Sequence, residues 1–373
     1  MRPTIILVAL LCISLTGIVS AEAFNYGTWI EITDNASFSP RESHGVTVFD
    51  NRLWVIGGRV DPNELANDVW SSPDGKNWAL EAEHAGFSPR TYHSVVAFNN
   101  KLWVIGGCSI EGYTNDVWSS PDGRAWTLET EHAGFSQRCR HGVTVFDNRL
   151  WVIGGSHLEK DYDVFTNDVW SSGDGKTWNL ETEHAEFSPR WGTGVVAFDN
   201  CLWVFAGNLT SDVWSSTDGK KWTLINGSAP FSHADYNRVT VFGNKIIVVG
   251  YFSEGRGFTN DIWSSPDGKE WSIETVNVDF GVRPGNKVVA FNTGLWAIGG
   301  FDSLKSARDK NDIWYIPLPV PVQTPATTVP LSSNISSTVP DASGTSAQAG
   351  IDPLTVCISL LIIIGAGYCV KRR

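Results

Sequence analysis

Between residues 38 and 316 short apolar runs alternate with polar turn residues, and the alternation is periodic. Phe38, Phe87, Phe135, Phe187, Phe231 and Phe280 open six units, spaced 49, 48, 52, 44 and 49 residues apart. The first unit reads Phe38-Ser39-Pro40-Arg41, then an alternating run from Gly45 to Phe49, a turn at Asp50-Asn51, and Leu53-Trp54-Val55-Ile56-Gly57-Gly58. A variable loop follows, then Asn67-Asp68-Val69-Trp70, a turn at Pro73-Asp74-Gly75, and Trp78-Ala79-Leu80. Period-2 alternation broken by Asp-Asn and Asp-Gly pairs predicts four short antiparallel strands per unit, joined by hairpins.

A period of this length with four strands per unit is that of a β-propeller blade. Gly-Gly closes the second strand at 57-58, 106-107, 154-155 and 299-300, becoming Ala206-Gly207 and Gly250-Tyr251 in units four and five. With a Trp on the third strand, this pattern resembles the kelch repeat, of the secreted or surface-anchored prokaryotic type, over about residues 25 to 316. The Asp-Gly turns followed by Trp are also similar, more weakly, to the Asp-box of sialidase-like propellers, although one residue is missing between Asp and Gly. The expected fold is all-β: a six-bladed kelch-like propeller spanning 24–316.

Tryptophan positions predict how the ring closes. The third strands carry Trp70, Trp118, Trp170, Trp214, Trp263 and Trp314; the second strands carry Trp54, Trp103, Trp151, Trp203 and Trp296, with Ile247 in unit five. Fourth-strand Trp occurs at 78, 126, 178, 222 and 271, and unit six ends without one. Trp29 supplies the missing copy, so Gly27 to Ile32 is expected to pair as the outer strand of the last blade and to cover an edge otherwise open to aggregation. Trp191, directly after Arg190, is the one Trp outside this scheme.

The ends have other patterns. Met1-Arg2, the apolar run Ile5 to Val19 and the small residues of Ser20-Ala21-Glu22-Ala23 predict a cleaved signal peptide over 1–23. Residues 317–350, rich in Pro, Ser and Thr, predict an extended stalk. Residues 351–370 are long and apolar enough for one transmembrane helix, and Lys371-Arg372-Arg373 is a basic tail suited to the cytoplasmic side. The expected address is the cell surface, with the propeller outside. Acceptor triplets for glycosylation begin at Asn35, Asn208, Asn226 and Asn334.

The net charge of -12 makes nucleic acid or anionic lipid a poor partner for the body of the protein. Setting aside Cys12, Cys357 and Cys369 in the apolar ends leaves Cys108, Cys139 and Cys201, too few for a disulfide framework. Cys108 and Cys139 fall on one face in adjacent blades and are candidates for a bridge, whereas Cys201 falls at the opposite turn.

If strands alternate up and down, the loops between strands two and three share a face with the blade-to-blade connections. Their lengths vary, as recognition loops do. On that face lie Arg41, Arg90, Arg138, Arg190 and Arg283, and three residues on, His44, His93 and His141. One reading is structural: a repeated residue answers a repeated need, here tying a strand start to neighbouring carbonyls. The other is a ring of cationic and hydrogen-bonding groups at a central mouth, with Tyr92, Trp191 and Tyr236 as flat stacking surfaces. The Asp of each Asn-Asp or Ser-Asp pair is expected to bond local backbone. His84, His132 and His184 recur blade by blade, so no metal site and no cofactor are expected. The first functional expectation is a monomeric binding or adhesion module for a surface protein, peptide or glycan. The alternatives are a propeller enzyme acting on sugars, mutarotase or sialidase-like, and a structural envelope component.

Overall fold

The computed structural model describes residues 27–318, apart from 62–63, 161, 209, 232–237, 254–256, 276–280, 282 and 303–307. The expected signal peptide, the stalk beyond residue 318, the transmembrane segment, the tail, Tyr236 and Asn334 lie outside the described residues.

Among the described residues the secondary structure is all β: six antiparallel four-stranded sheets, each one blade of a propeller. Blade 1 consists of Gly45–Phe49, Arg52–Asp61, Glu64–Ser72 and Ala79–Ala82. Its first hairpin turns at Asp50 and Asn51, with φ of 48° and 53°. Two successive left-handed residues define the type I′ turn, whose twist matches the strands it joins.

The predicted closure is present. Ile30–Thr33 pairs antiparallel with Arg308–Pro317, so the sixth blade takes its outer strand from the N-terminal side of the chain. Trp29 is buried with Ile316, Leu318 and Ile247.

The hydrophobic core is distributed over six clusters, each shared by two adjacent blades. Between blades 1 and 2, for example, Trp54, Ile56 and Val69 pack against Phe87, Leu102 and Val104. Every tryptophan class also has a polar anchor. In blade 1 the indole N–H of Trp54 donates to Phe49 O (2.8 Å), that of Trp70 to Asp68 Oδ2 (2.7 Å) and that of Trp78 to Gly75 O (2.8 Å). Burial of a large ring with its N–H satisfied is the favourable case for Trp. The opening Phe of a unit meets the fourth-strand Trp edge to face, at 5.0 Å for Phe38 and Trp78.

The Asp-Gly turns serve the ring as well as the hairpin. Gly123 (φ 75°) lies against the Trp54 ring of the preceding blade so closely that an added Cβ would overlap it. Gly175, Gly219 and Gly268 lie in the same way against Trp103, Trp151 and Trp203, and Gly75 against Trp296, carrying the contact from blade 1 back to blade 6.

Candidate functional site

The recurrent arginines are interior. Arg41, Arg90 and Arg190 have no exposed surface, and Arg138 has 1%. Arg41 donates Nη1 to Asp68 Oδ1 (2.7 Å), Nη2 to Asp68 Oδ2 (2.8 Å), Nη1 to Gly57 O (2.9 Å) and Nε to Ser39 O (3.0 Å). Arg90–Asp116, Arg138–Asp168 and Arg190–Asp212 repeat the two-pronged pair, and Arg283 pairs with Asp312. The aspartates therefore bond side chains, a guanidinium and the third-strand indole, where local backbone was expected. Burial pulls Asp116, Asp168 and Asp212 upward, but the hydrogen bonds and charge of their arginines, together with bonds from the third-strand Trp and a Thr, outweigh it and hold all three below the ordinary value.

His44, His93 and His141 are also interior. Gly57 and Gly299, with φ of 57° and 60°, leave room for the rings of His93 and His44 respectively, and His93 Nε2 lies 3.1 Å from Ile56 O. Burial, helped by the charges of Arg90 and Arg138, lowers His93 and His141 to about 3. Burial, then Arg41 and Lys287, lowers His44. At neutral pH these rings are uncharged. In blade 4 the Thr193 hydroxyl takes over, donating to Phe205 O at 3.0 Å.

Two residues beyond each arginine, the chain forms a belt around the axis. Ser43 N–H donates to Gly285 O, Tyr92 N–H to Ser43 O, Arg140 N–H to Tyr92 O and Gly192 N–H to Arg140 O, at 2.9 to 3.1 Å. All five residues are left-handed, with φ of 52°, 54°, 58°, 68° and 72° for Ser43, Tyr92, Arg140, Gly192 and Gly285. Glycine fills such a slot without steric cost, whereas a bulky residue pays about 1 kcal/mol or more. Tyr92 and Arg140 occupy it nonetheless, and their side chains meet: the Arg140 guanidinium lies 4.6 Å from the Tyr92 ring centre and 5.1 Å from that of Trp191. Trp191 in turn packs on Phe165 at 6.3 Å. Tyr113 O–H donates to Asp163 Oδ1 (2.8 Å), and Arg140 approaches Asp163 at 3.9 Å. This half-exposed cluster draws on blades 2, 3 and 4. Arg140 did not stand out in the sequence, because no repeated arginine marks its position; only comparison with Gly192 and Gly285 exposes the exchange.

Two residues beyond the belt positions, Gly45, Ser94, Gly142 and Gly194 correspond to Arg238 and Lys287 in blades 5 and 6. Lys287 is 9% exposed. It borders a cavity of about 10 Å³ together with Tyr92, His93, Ser94, Arg140, His141 and Gly192, none of which is a carboxylate. Burial and the nearby Arg238 charge lower Lys287 to about 8.

Outside the belt, loop tips carry exposed apolar groups: Ile110 (85%), Tyr162 (75%) and Leu158 (48%). A groove of about 720 Å³ runs down this flank, lined among others by Tyr113, Leu158, Trp118, Leu128, Glu131 and His132. Among the described residues no group of three or more His, Cys, Asp or Glu is placed to hold a metal ion. Cys108, Cys139 and Cys201 are unbonded thiols. Asn35 is exposed and Asn208 half-buried; Asn226 donates its amide to Lys269 O at 3.0 Å.

The model of the KLHDC2/KLHL20/DRC7 Kelch-repeats domain matches residues 24–207. The tRNA wybutosine-synthesizing protein 2/3/4 of Oryza sativa subsp. japonica is 43% identical over 44 residues, a stretch as long as one blade, covering 12% of this chain and 4% of that protein.

Proposed function

This chain is a kelch-repeat β-propeller protein, a fold that generally mediates protein–protein binding, and from that premise we propose that it displays its propeller outside the cell as a binding module. The partner is a protein segment, taken at the mouth formed by Tyr92, Arg140 and Trp191 and along the loop tips beside it. The observation that carries this reading is the side-chain choice in the belt. Two left-handed slots that glycine fills at no cost instead hold a tyrosine and an arginine, whose stacked, half-exposed groups are of the kind that dominate protein interfaces. The apolar tips Ile110, Leu158 and Tyr162 extend the surface. The buried arginines and histidines keep the platform rigid, leaving recognition to the residues above them. The address comes from the sequence of the two ends, and a surface-anchored propeller would meet partners on other surface proteins.

The test is a peptide and glycan array probed with the protein and with its Arg140→Ala and Trp191→Ala variants, each checked for folding. Peptide binding that weakens tenfold or more in both variants supports this site. Binding unaffected by both, or confined to glycans, refutes it.

A further inference from the structure

The belt that forms the mouth also brings two cysteines together. Cys139 precedes Arg140 and occupies the blade 3 position that Thr91 occupies in blade 2. Thr91 exchanges both backbone hydrogen bonds with Cys108, at 2.9 and 2.8 Å, and Cys139 does the same with Ser156, at 3.0 Å each. The Arg140 N–H donates to Tyr92 O at 3.1 Å. The residue after Thr91 is therefore bonded to the residue after Cys139, and Cys108, the partner of Thr91, lies beside Cys139. Directly before the pair, Gly107 N–H donates to Arg138 O at 2.9 Å, so the two cysteines follow a shared backbone hydrogen bond, and each thiol acts on the proton affinity of the other. The Cys139 sulfur also lies 3.8 Å from the Ser156 hydroxyl. Cys139 is fully buried and Cys108 half-buried, so reagents enter at Cys108. The neighbouring Cys139 and burial raise Cys108, while Cys108 and the nearby Arg140 charge lower Cys139 against the upward pull of burial. Cys201 is a buried residue on a different strand, Cys201–Gly207 of blade 4.

We propose that Cys108 and Cys139 form a reversible disulfide that ties blade 2 to blade 3 directly behind the mouth. Two S–H bonds break and one S–S bond forms; the two electrons and the two protons go to an oxidant of the disulfide class, such as oxidised glutathione, whose own S–S bond breaks and which leaves as two thiols. The positions suit a bridge that needs little backbone movement, because Thr91–Cys108 and Cys139–Ser156, each pinned by paired backbone hydrogen bonds, are joined by the Gly107 N–H to Arg138 O bond beside the two cysteines. Blades contact one another through side chains and through backbone hydrogen bonds such as Gly107 N–H to Arg138 O, so a covalent tie here adds a constraint of a different kind. The inference stands apart from the binding reading, since it concerns the chemistry of the pair alone.

The full chain is equilibrated with oxidised glutathione, free thiols are alkylated, and the protein is mapped as peptides without reduction. The expected result is one cross-link, Cys108 to Cys139, with Cys201 alkylated. Dithiothreitol should remove it and lower Tm by about 5 °C, and Cys139→Ser should melt like the reduced protein under either condition. Alkylation of both Cys108 and Cys139 after full equilibration overturns the proposal, as does a cross-link to Cys201. Because the wild type is compared oxidised against reduced, the result does not depend on how well the variant folds.

Discussion

Replacing Lys287 by Met should stabilise the protein. The ammonium is nine-tenths buried in a cavity whose lining holds histidines, an arginine and no carboxylate, and burial, with Arg238, brings it from an ordinary 10.5 to about 8. At about 1.4 kcal/mol per tenfold change in proton affinity, keeping this group charged at pH 7 costs the folded state about 3 kcal/mol. The folded value lies below the unfolded one, so the unfolded chain binds the extra proton between pH 8 and 10.5. Stability from this group is complete above 10.5 and is lost as pH falls through 8. Methionine has similar length and no charge, so the variant should gain about 3 kcal/mol at pH 7 and little at pH 10.5. Urea unfolding followed by tryptophan fluorescence measures both, and taking the difference between variant and wild type cancels every other titrating group. A variant less stable than the wild type at pH 7, or a gain that does not shrink with rising pH, would refute the reasoning.

Other expectations follow from the buried network. Gly123→Ala adds a Cβ that overlaps the Trp54 ring at a left-handed position, and should cost about 2 kcal/mol or more in a denaturant titration; an unchanged midpoint would mean that the turn does not hold the blades. Arg90→Met strands Asp116, which is 17% exposed, and should destabilise by about 3 kcal/mol, whereas a loss below about 1 kcal/mol would show that the aspartate finds water instead. Because His93 and His141 lie at about 3 when folded and near 6.5 unfolded, the unfolded chain takes up their protons first as pH falls. Stability should decline between pH 6.5 and 3 by up to about 2.7 kcal/mol per pH unit from these two rings, and a melting temperature flat from pH 7 to 5 would contradict this.

The ring was legible in the sequence because its strongest constraints repeat at one period. Counting tryptophans located the closing strand, since Trp29 completes a set that blade 6 lacks. Another irregularity was visible without its cause: blade 5 has Ile247 in place of the second-strand Trp. That Trp elsewhere receives the turn glycine of the next blade, and blade 6, whose outer strand comes from the N-terminal side, has no such turn; Ile247 instead packs with Trp29 and Leu318. The arginine pairs were harder to foresee, because each Arg meets an Asp 22 to 30 residues away across a loop of changing length. Residue type alone could not separate a guanidinium facing solvent from one held by two carboxylate oxygens. Arg140 was hidden for a different reason. Its significance lies in a left-handed backbone, and only glycine announces that conformation in a sequence.

The closing strand also sets an order of events in time. Five blades assemble from neighbouring segments, but Asn311 reaches Ala36 across 275 residues, and bringing such distant segments together costs about 5 kcal/mol of chain entropy. Ile30–Thr33 leaves the ribosome ahead of the other strands of the ring, yet its partner strand is the last of them to be made. Until Arg308–Pro317 arrives, it waits as a bare edge, able to pair with another nascent chain. Its length of four residues and the charge of Glu31 lower that risk without removing it. The stage most exposed to misassembly is thus the wait before the circle shuts, and conditions that slow synthesis of the sixth blade would lengthen it.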